Sequence, residues 1–369
     1  MVVEENAVIR LIGGAAFSVL SSFGLITNVL LISTFVKAKN FLKSNFFYIL
    51  AYQLALCDFL VHISQIGVVI PACFISSAQF YAYQSTLIFK LLANCDTIGF
   101  YGTLHFTFVI VISRYTVIAS RGSNIVFRPP CIYILIAAVW ISTAGLVAIE
   151  VCLCPKNFDY FGLYLFKDCR NSGMQGQCYN SFTYFWTLSP PIAMFLIYIC
   201  IFIKLRKMST TTVSSAVPNE HSLPEGAENS AAHSTVKDKG TERAKQKQPQ
   251  LLSFAKRANC TSLTQPSYKS TDIENNSQRI ILQPPKRLFR KRETNFFMQA
   301  AIICAVLELE IIVFYLFPVL GKLLPEGADI WLSVVQNCCV IINNSVQPTI
   351  YFIFNSEIRN ALKKLFICH

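Results

Sequence analysis

Charged residues are scarce in this sequence, and their scarcity narrows the class of protein. Asp, Glu, Lys and Arg together make up 14% of the 369 residues, whereas hydrophobic residues make up 53%. Soluble globular proteins carry about 25% charged residues. One soluble core could not bury so much apolar surface, so we expect lipid to replace water around much of the chain.

The sequence also lacks the residue clusters that catalysis and metal binding need. Its 14 cysteines include no Cys-x-x-Cys pair matched by a pair of histidines, which argues against a zinc site. His62 and His105 lie within different apolar segments, without a nearby set of Cys or carboxylate ligands. A membrane metalloenzyme is therefore disfavoured, and we predict that the protein is not an enzyme.

Seven stretches are apolar and long enough to cross a membrane, because a helix needs roughly 20 residues to span the bilayer core. They are 11–36, 46–74, 87–118, 131–154, 181–203, 296–320 and 330–354. The predicted fold is an all-α membrane protein with a seven-transmembrane helix bundle over 11–354. Residues 1–10 are predicted to form an N-terminal tail, 204–295 a long and largely disordered third cytoplasmic loop, and 355–369 a short amphipathic helix with a tail.

Basic residues between the apolar stretches predict the orientation of the chain. Lys37, Lys39 and Lys43 follow the first stretch, and Arg121 and Arg128 follow the third. Cytoplasmic loops are enriched in Lys and Arg, so these loops and every second one are expected to be cytoplasmic. The N-terminus is then extracellular and the C-terminus cytoplasmic in a multi-pass protein.

A formal net charge of +12 raises the question of nucleic-acid binding. About half of the Lys and Arg residues lie between positions 204 and 292, in the predicted cytoplasmic loop. Membrane topology and attraction to anionic lipid account for that distribution better than a nucleic-acid partner does. We therefore predict membrane lipid as a partner and no nucleic acid.

Polar residues and prolines recur at membrane depth along the seven stretches. Polar groups are costly there, so those present are functional candidates. In chain order the pattern is Asn28, Asp58, Arg114 with Tyr115, Trp140, Pro190 with Tyr198, Phe317 with Pro318, and Gln347 with Pro348 and Tyr351. This pattern resembles that of the rhodopsin-like G-protein-coupled receptors over nearly the whole membrane domain.

Two short sequence segments indicate a particular branch of this receptor family. Residues 293–299 (ETNFFMQ) and 354–359 (FNSEIR) are similar to those of the nematode serpentine chemoreceptors, particularly serpentine receptor class X. A conventional rhodopsin-like receptor is the alternative. The resemblance implies a plasma-membrane receptor that binds an extracellular, chemosensory small molecule and activates a heterotrimeric G protein.

The resemblance also implies roles for individual residues. The activation network would comprise Asn28, Asp58, Arg114, Tyr198, Pro318, Asn344, Pro348 and Tyr351. The G protein would contact Arg114, Tyr115, Arg290, Lys291 and Arg292. Asp58 would join Asn28 and the seventh-stretch residues Asn343, Asn344 and Ser345, with a possible sodium ion nearby and no other cofactor.

Asp96 is the first candidate for ligand binding. It lies 18 positions before Arg114, close to five helical turns, so the two share one face about 27 Å apart. That spacing matches the carboxylate with which amine receptors hold a ligand cation, so an amine neurotransmitter receptor is an alternative. Asp96 could instead pair with Lys90. The candidate ligand-binding residues are Asp96, Phe100, Phe317 and Asn337.

The sequence departs from the family pattern at several positions. Ser113 stands where an acidic residue normally precedes Arg114, and Leu316 replaces the expected Trp. Phe89 replaces the usual third-helix cysteine, which leaves Cys95 as the nearest substitute.

The remaining predictions concern cysteines and open questions. Cys169 and Cys178 suggest a disulfide on the oxidising side, and Cys95 with Cys178 is the candidate pairing by resemblance. Cys368 is a candidate palmitoylation site. No role is predicted for Glu308 or Glu310. A membrane transporter is the alternative from another class, although the sequence has no repeated halves. The ligand, the G-protein subtype and the oligomeric state stay open.

Overall fold

Long helices run through most of the chain in the computed structural model, which describes residues 2–37, 46–119, 127, 130–214, 286–321, 323 and 328–367. The helices are α1 (Val2–Lys37), α2 (Phe46–Phe74), α3 (Leu87–Ala119), α4 (Cys131–Leu153), α5 (Gly173–Ser214), α6 (Lys286–Gly321), α7 (Ala328–Phe354) and α8 (Ser356–Ile367). A short helix, Ser77–Gln84, precedes α3, and a hairpin of β1 (Lys156–Asp159) and β2 (Tyr164–Lys167) precedes α5. The predicted fold, a seven-helix bundle followed by a short helix, is confirmed.

Six of the described helices, α1 to α6, are long and apolar enough to cross a membrane by length and composition. The 27-residue helix α7 is not among these six. Its buried polar residues, which lower its hydropathy, are Asn337, Asn343, Asn344, Ser345 and Gln347. α7 therefore supplies much of the polar interior of the bundle.

Three helices, α1, α5 and α6, extend well beyond the predicted apolar stretches. α1 begins at Val2, so the predicted tail 1–10 is helical from residue 2. α5 runs to Ser214 and α6 begins at Lys286, so both ends of the predicted disordered loop 204–295 are helical. The rest of that loop, 215–285, lies outside the described residues. Hydropathy marks only the part of a helix that lipid covers, which is why the predicted bounds were too short.

Glycines allow α2 and α3 to pack closely, and this is the most extensive contact between two helices. A Cβ added at Gly99 would lie 2.8 Å from the backbone oxygen of Cys57 and 3.2 Å from the backbone nitrogen of Val61. A Cβ at Gly102 would meet the thiol of Cys57. Small residues at such interfaces bring the backbones of membrane helices together.

α2 changes its winding near its end. Gln65–Val69 form a π-helical turn, and Pro71 follows in the last turn. Pro71 has no amide hydrogen to donate to the carbonyl of Gly67. The hydroxyl of Tyr83, from the short helix before α3, donates to that carbonyl at 2.7 Å. The carbonyl that the proline leaves free thus binds the short helix to α2.

The hairpin register brings two cysteines together. Lys156 lies opposite Lys167 in the antiparallel pair. Continuing the same alignment by two residues places Cys154 opposite Cys169, and these two form a disulfide. The bond closes the base of the hairpin where the chain leaves α4.

The two predicted disulfide pairings are therefore wrong. Cys95 and Cys178 are both free, and Cys169 pairs with Cys154. The prediction took Cys95 as a substitute for an expected cysteine on the third helix. Hairpin register, which apolar patterning does not indicate, determines the pairing instead.

Helix α8 lies where the amphipathic helix is predicted. Asn355 caps it, since its side-chain oxygen accepts hydrogen bonds from the backbone nitrogens of Glu357 at 3.1 Å and Ile358 at 3.2 Å. The hydroxyl of Tyr48 on α2 donates to the carboxylate of Glu357 at 2.6 Å. Ile358 is buried, so α8 is held against the bundle by both polar and apolar contacts.

We predict that Cys154→Ser lowers the thermal stability of the detergent-solubilised protein. The disulfide spans a sequence separation of 15 residues, and closing a loop of about that length stabilises a protein by about 3 kcal/mol. Cys178→Ser is the control, because this exposed cysteine is free and its loss should leave the melting temperature unchanged. Non-reducing peptide mapping that found Cys178 in a disulfide would contradict the pairing.

We also predict that Gly99→Ala lowers thermal stability by about 1–3 kcal/mol, because its new methyl group meets backbone atoms that cannot move aside. Gly145→Ala on α4 is the matched control, since a Cβ there has no atom within 4 Å. Thermal unfolding of both variants should separate them. Equal melting temperatures would contradict the close approach of α2 and α3.

Candidate functional site

A cavity of about 640 Å³ opens at the end of the bundle that carries the hairpin, here called the hairpin end. The opposite end, which carries α8, is called the α8 end. Helices α2, α3, α5, α6 and α7 line the cavity together with the hairpin. All four residues predicted to bind ligand line it: Asp96, Phe100, Phe317 and Asn337. Their role in binding stays a prediction.

The carboxylate of Asp96 is paired with a lysine from the hairpin. Lys156 on β1 forms a salt bridge with Asp96 and also donates to the hydroxyl of Thr97 at 3.1 Å. The side chain of Lys156 is 10% exposed and that of Asp96 is 18% exposed. Lys156 rather than Lys90 is thus the partner of Asp96, and the pair leaves no net charge there.

A second ion pair joins the hairpin to α4. Lys167 on β2 lies 2.6 Å from the carboxylate of Glu150, whose side chain is 1% exposed. Thr97 donates to the same carboxylate at 3.1 Å. The Lys167 ammonium also donates to the hydroxyl of Tyr101 at 3.1 Å. The sequence analysis missed Glu150, although an acidic residue inside the apolar stretch 131–154 was a visible signal.

The two ion pairs hold the hairpin as a unit. Lys156 and Lys167 are direct cross-strand neighbours, and such neighbours point to the same face of a hairpin. Both side chains therefore reach the bundle together, one to α3 and one to α4. With the disulfide between Cys154 and Cys169, the hairpin is fixed at its base and on the face that meets the helices.

Aromatic and amide side chains form the upper walls of the cavity. Tyr315 on α6 shares a hydrogen bond of 2.5 Å with Thr187 on α5. Asn337 donates to the carbonyl of Leu163 at 2.7 Å, which ties α7 to the hairpin turn. Burial raises the pKa of the Tyr164 phenol, and the carboxylate of a neighbouring aspartate adds to that shift. Tyr164 therefore remains a neutral hydrogen-bonding group at ordinary pH.

The floor of the cavity carries the acidic residue Glu310. Glu310 on α6 is buried and accepts a hydrogen bond from the side-chain amide of Asn343 on α7. Thr103 on α3 lines the floor and donates to Asp58 at 3.1 Å. Thr103 thus connects the cavity to the carboxyl of Asp58, which is buried behind it.

A proline on α7 explains the role of Asn28. Pro348 cannot donate to the carbonyl of Asn344, four residues earlier. The side-chain amide of Asn28, which is fully buried on α1, donates to that carbonyl at 3.0 Å and to the carbonyl of Gly24 at 3.0 Å. Asn28 therefore satisfies a backbone group that the proline leaves free.

The predicted polar network around Asp58 differs in its detail. Asn343 bonds Glu310, Asn28 bonds the backbone of Asn344, and the hydrogen-bond partner of Asp58 is Thr103. The hydroxyl of Ser345 lies 3.5 Å from a ring nitrogen of His62. Among the described residues, none of the four expected partners forms a hydrogen bond with Asp58. The one-dimensional pattern gave helix and depth but not which face of each helix meets which neighbour.

Arg114 lies buried toward the α8 end of α3. Its guanidinium carbon is 4.1 Å from the ring centroid of Phe47, a cation–π contact. Tyr198 on α5 and Tyr351 on α7 both lie close enough to interact electrostatically with it. The hydroxyl of Ser113 donates to the backbone carbonyl of Ile110 in the same helix at 2.7 Å.

The structure describes only some of the other predicted site residues. Tyr115 is 40% exposed near the end of α3. Pro318 and the run 290–292 (Arg-Lys-Arg) lie within α6, but their side chains are outside the described part of the structure. The proposed palmitoylation site Cys368 is outside the described residues.

Comparisons with known proteins give one family match and one match of the fold. Residues 27–351 match the family described as 7 transmembrane receptor (rhodopsin family). The structure is similar to the crystal structure of squid rhodopsin, with a TM-score of 0.65 and 12% sequence identity, over 98% of this chain and 81% of that chain. No curated protein matches the sequence significantly.

We predict that Glu150→Gln and Lys167→Met each lower thermal stability by about 1.5–3 kcal/mol, because each leaves the other member of the pair without its charged partner. The double variant should be less destabilised than the sum of the two, since it leaves no lone charge. Thermal unfolding of the four proteins measures this coupling. Strict additivity would mean that the pair does not hold the hairpin.

Proposed function

Because the chain belongs to the rhodopsin family of seven-transmembrane receptors, which are receptors and not enzymes, we propose that it binds an extracellular ligand in the cavity and activates a heterotrimeric G protein. The protein is a multi-pass membrane protein, and signalling through a G protein follows from the family. Activation of a heterotrimeric G protein, the ligand class, the cellular membrane and the orientation are proposals.

The observation that carries this proposal is a continuous helix between the two ends. α3 lines the cavity at Asp96 and Thr103 and places Arg114 toward the α8 end. The distance along the axis from Asp96 to Arg114 is about 27 Å for 18 residues. A ligand that prefers one packing of α3 against its neighbours changes the population of that packing at Arg114 as well.

Helix breaks offer places where such a packing change can occur. Pro190 lies inside α5 and Pro348 inside α7. Proline removes a helix hydrogen bond and favours a kink. We propose that the parts of these helices near the α8 end move about the prolines and open a groove bordered by Arg114, Tyr198 and Tyr351. A helix of the G protein would bind in that groove.

The orientation is proposed from the disulfide and from the loop charges. Disulfides persist on the oxidising side of a membrane. The bond between Cys154 and Cys169 therefore supports an extracellular hairpin end. Lys37, which ends α1, and the α6 run 290–292 would then face the cytoplasm, in agreement with the distribution of basic residues. A plasma-membrane location fits this arrangement.

A chemosensory small molecule is the proposed ligand class. The cavity volume of about 640 Å³ falls within the range of about 300–1,000 Å³ typical of small-molecule sites. Its walls combine aromatic rings with a few polar groups, as such sites do. The phrases 293–299 and 354–359 support the nematode serpentine class X as the branch of the family.

Two other readings are less well supported. An amine held by Asp96 would have to displace Lys156, which already neutralises that carboxylate. A transporter would need repeated halves, and the sequence has none.

A sodium ion near Asp58 is also proposed. Sodium prefers oxygen ligands, and Asp58 receives one hydrogen bond, from Thr103. The side-chain oxygen of Asn28 is buried and has no hydrogen-bond partner among the described residues. Asp58 and Thr103 would hold the ion, which would contribute a positive charge beside the carboxyl.

We predict that Arg114→Ala reduces nucleotide exchange on purified G-protein heterotrimers by about tenfold or more, because the bundle loses its buried cation at the proposed groove. The measurement uses receptor in membranes, first alone and then with small-molecule extracts. Lys90→Ala is the control, since it removes an exposed cation at the hairpin end. Exchange with no heterotrimer under any stimulus would contradict the proposed function.

A further inference from the structure

The acidic residues that reach the cavity differ in their partners. Asp96 lines the cavity and is paired with the hairpin lysine Lys156. Asp329 also lines it and lies exposed in the first turn of α7. Glu310 is buried and has no basic partner among the described residues. The acidic group available to a ligand deep in the cavity is therefore Glu310.

Glu310 retains capacity for further hydrogen bonds. The structure gives its carboxyl group one hydrogen bond, from the side-chain amide of Asn343. A carboxylate has about four acceptor positions, so most of them are unused. Glu310 is 7% exposed and that exposure is toward the cavity it lines.

Gln65 provides an independent observation on the opposite wall. It lines the same cavity, is 2% exposed and lies at the start of the π-helical turn of α2. Its side-chain oxygen is buried and has no hydrogen-bond partner among the described residues. A buried acceptor without a donor is destabilising. A bound group with hydrogen-bond donors would remove that cost, and π-helical turns are frequent at functional sites.

The electrostatics of the floor favour a cation. Asp58 and Asp96 both lie near enough to Glu310 for their charges to interact with it. Asp96 is already neutralised by Lys156, and a sodium ion is proposed beside Asp58, whereas no described basic residue neutralises Glu310. An ammonium group carries three donors and no acceptor, which complements these acceptors. A ligand carboxylate would be repelled.

We propose that Glu310, with Gln65 and Asn343, binds the protonated amine of a small-molecule ligand at the floor of the cavity. This inference rests on the proposed receptor function and specifies its ligand class. Phe314 and Phe317 line the cavity on the same helix and would contact the apolar body of the ligand. Asp96 is not the amine-binding residue, because its role is to hold Lys156 and the hairpin.

Binding at Glu310 would also affect the helices. Glu310 lies on α6 and its partner Asn343 on α7. An ammonium group between them replaces a direct contact of two helices with contacts to the ligand. The following residue, Asn344, holds α1 through Asn28, so the change at Glu310 reaches the α1–α7 contact.

The test measures thermal stabilisation of the purified full-length receptor by 2-phenylethylamine, with 2-phenylethanol and phenylacetate as neutral and anionic analogues. We expect only the amine to raise the melting temperature of the wild type. Glu310→Gln should weaken the apparent affinity by about tenfold or more, because the charge is lost while the shape is kept. Glu308→Gln, two residues away on α6, is the matched control and should bind as the wild type does.

The double variant Asp96→Asn with Lys156→Met decides between the two acidic groups, because it removes both charges of the ion pair together, and we expect it to keep amine binding. Loss of binding in this double variant with binding kept in Glu310→Gln would overturn the proposal, as would an amine that does not stabilise the wild type. If Glu310→Gln does not fold, Gln65→Leu replaces it and should also weaken amine binding. This assay contains no G protein, so a failure of nucleotide exchange and a failure of amine binding can be told apart.

Discussion

The interior of a helix bundle in lipid offers no water to an unsatisfied backbone or side-chain polar group, so each such group is costly unless another part of the chain becomes its partner. Pro348 leaves the carbonyl of Asn344 without its helix donor, and Asn28 supplies one from α1. Pro71 leaves the carbonyl of Gly67 free, and Tyr83 supplies a donor there. In both places a proline that weakens one helix joins it to a neighbouring segment.

The same constraint organises the hairpin end. Glu150 is almost fully buried on α4, where an isolated charge would be very costly. Lys167 and Thr97 satisfy it, and the neighbouring Lys156 satisfies Asp96. The hairpin therefore does more than connect α4 to α5, because its lysines neutralise acidic groups on two helices. Its position in turn determines which part of the cavity remains accessible to a ligand.

The fold could be predicted from the sequence because long apolar stretches are a one-dimensional signal, and the depth of Asn28, Asp58 and Arg114 follows from their position within them. Which side chains bond to each other could not be predicted, since this depends on how each helix is rotated about its axis and on the register of the hairpin. The pairing of Cys154 with Cys169 and the bond from Thr103 to Asp58 are both of this kind. The bounds of α5 and α6 were missed because their outer turns are polar.

The polar face of α7 bears on how the chain is inserted during synthesis. A segment that carries several amides partitions into lipid less readily than the six helices that precede it. Asn344 finds its partner Asn28 only when α1 is already in place. We therefore expect α7 to leave the translocon together with earlier helices, as the last member of an assembled group. The first and last membrane helices would thus join at the end of biogenesis, when their polar groups first meet.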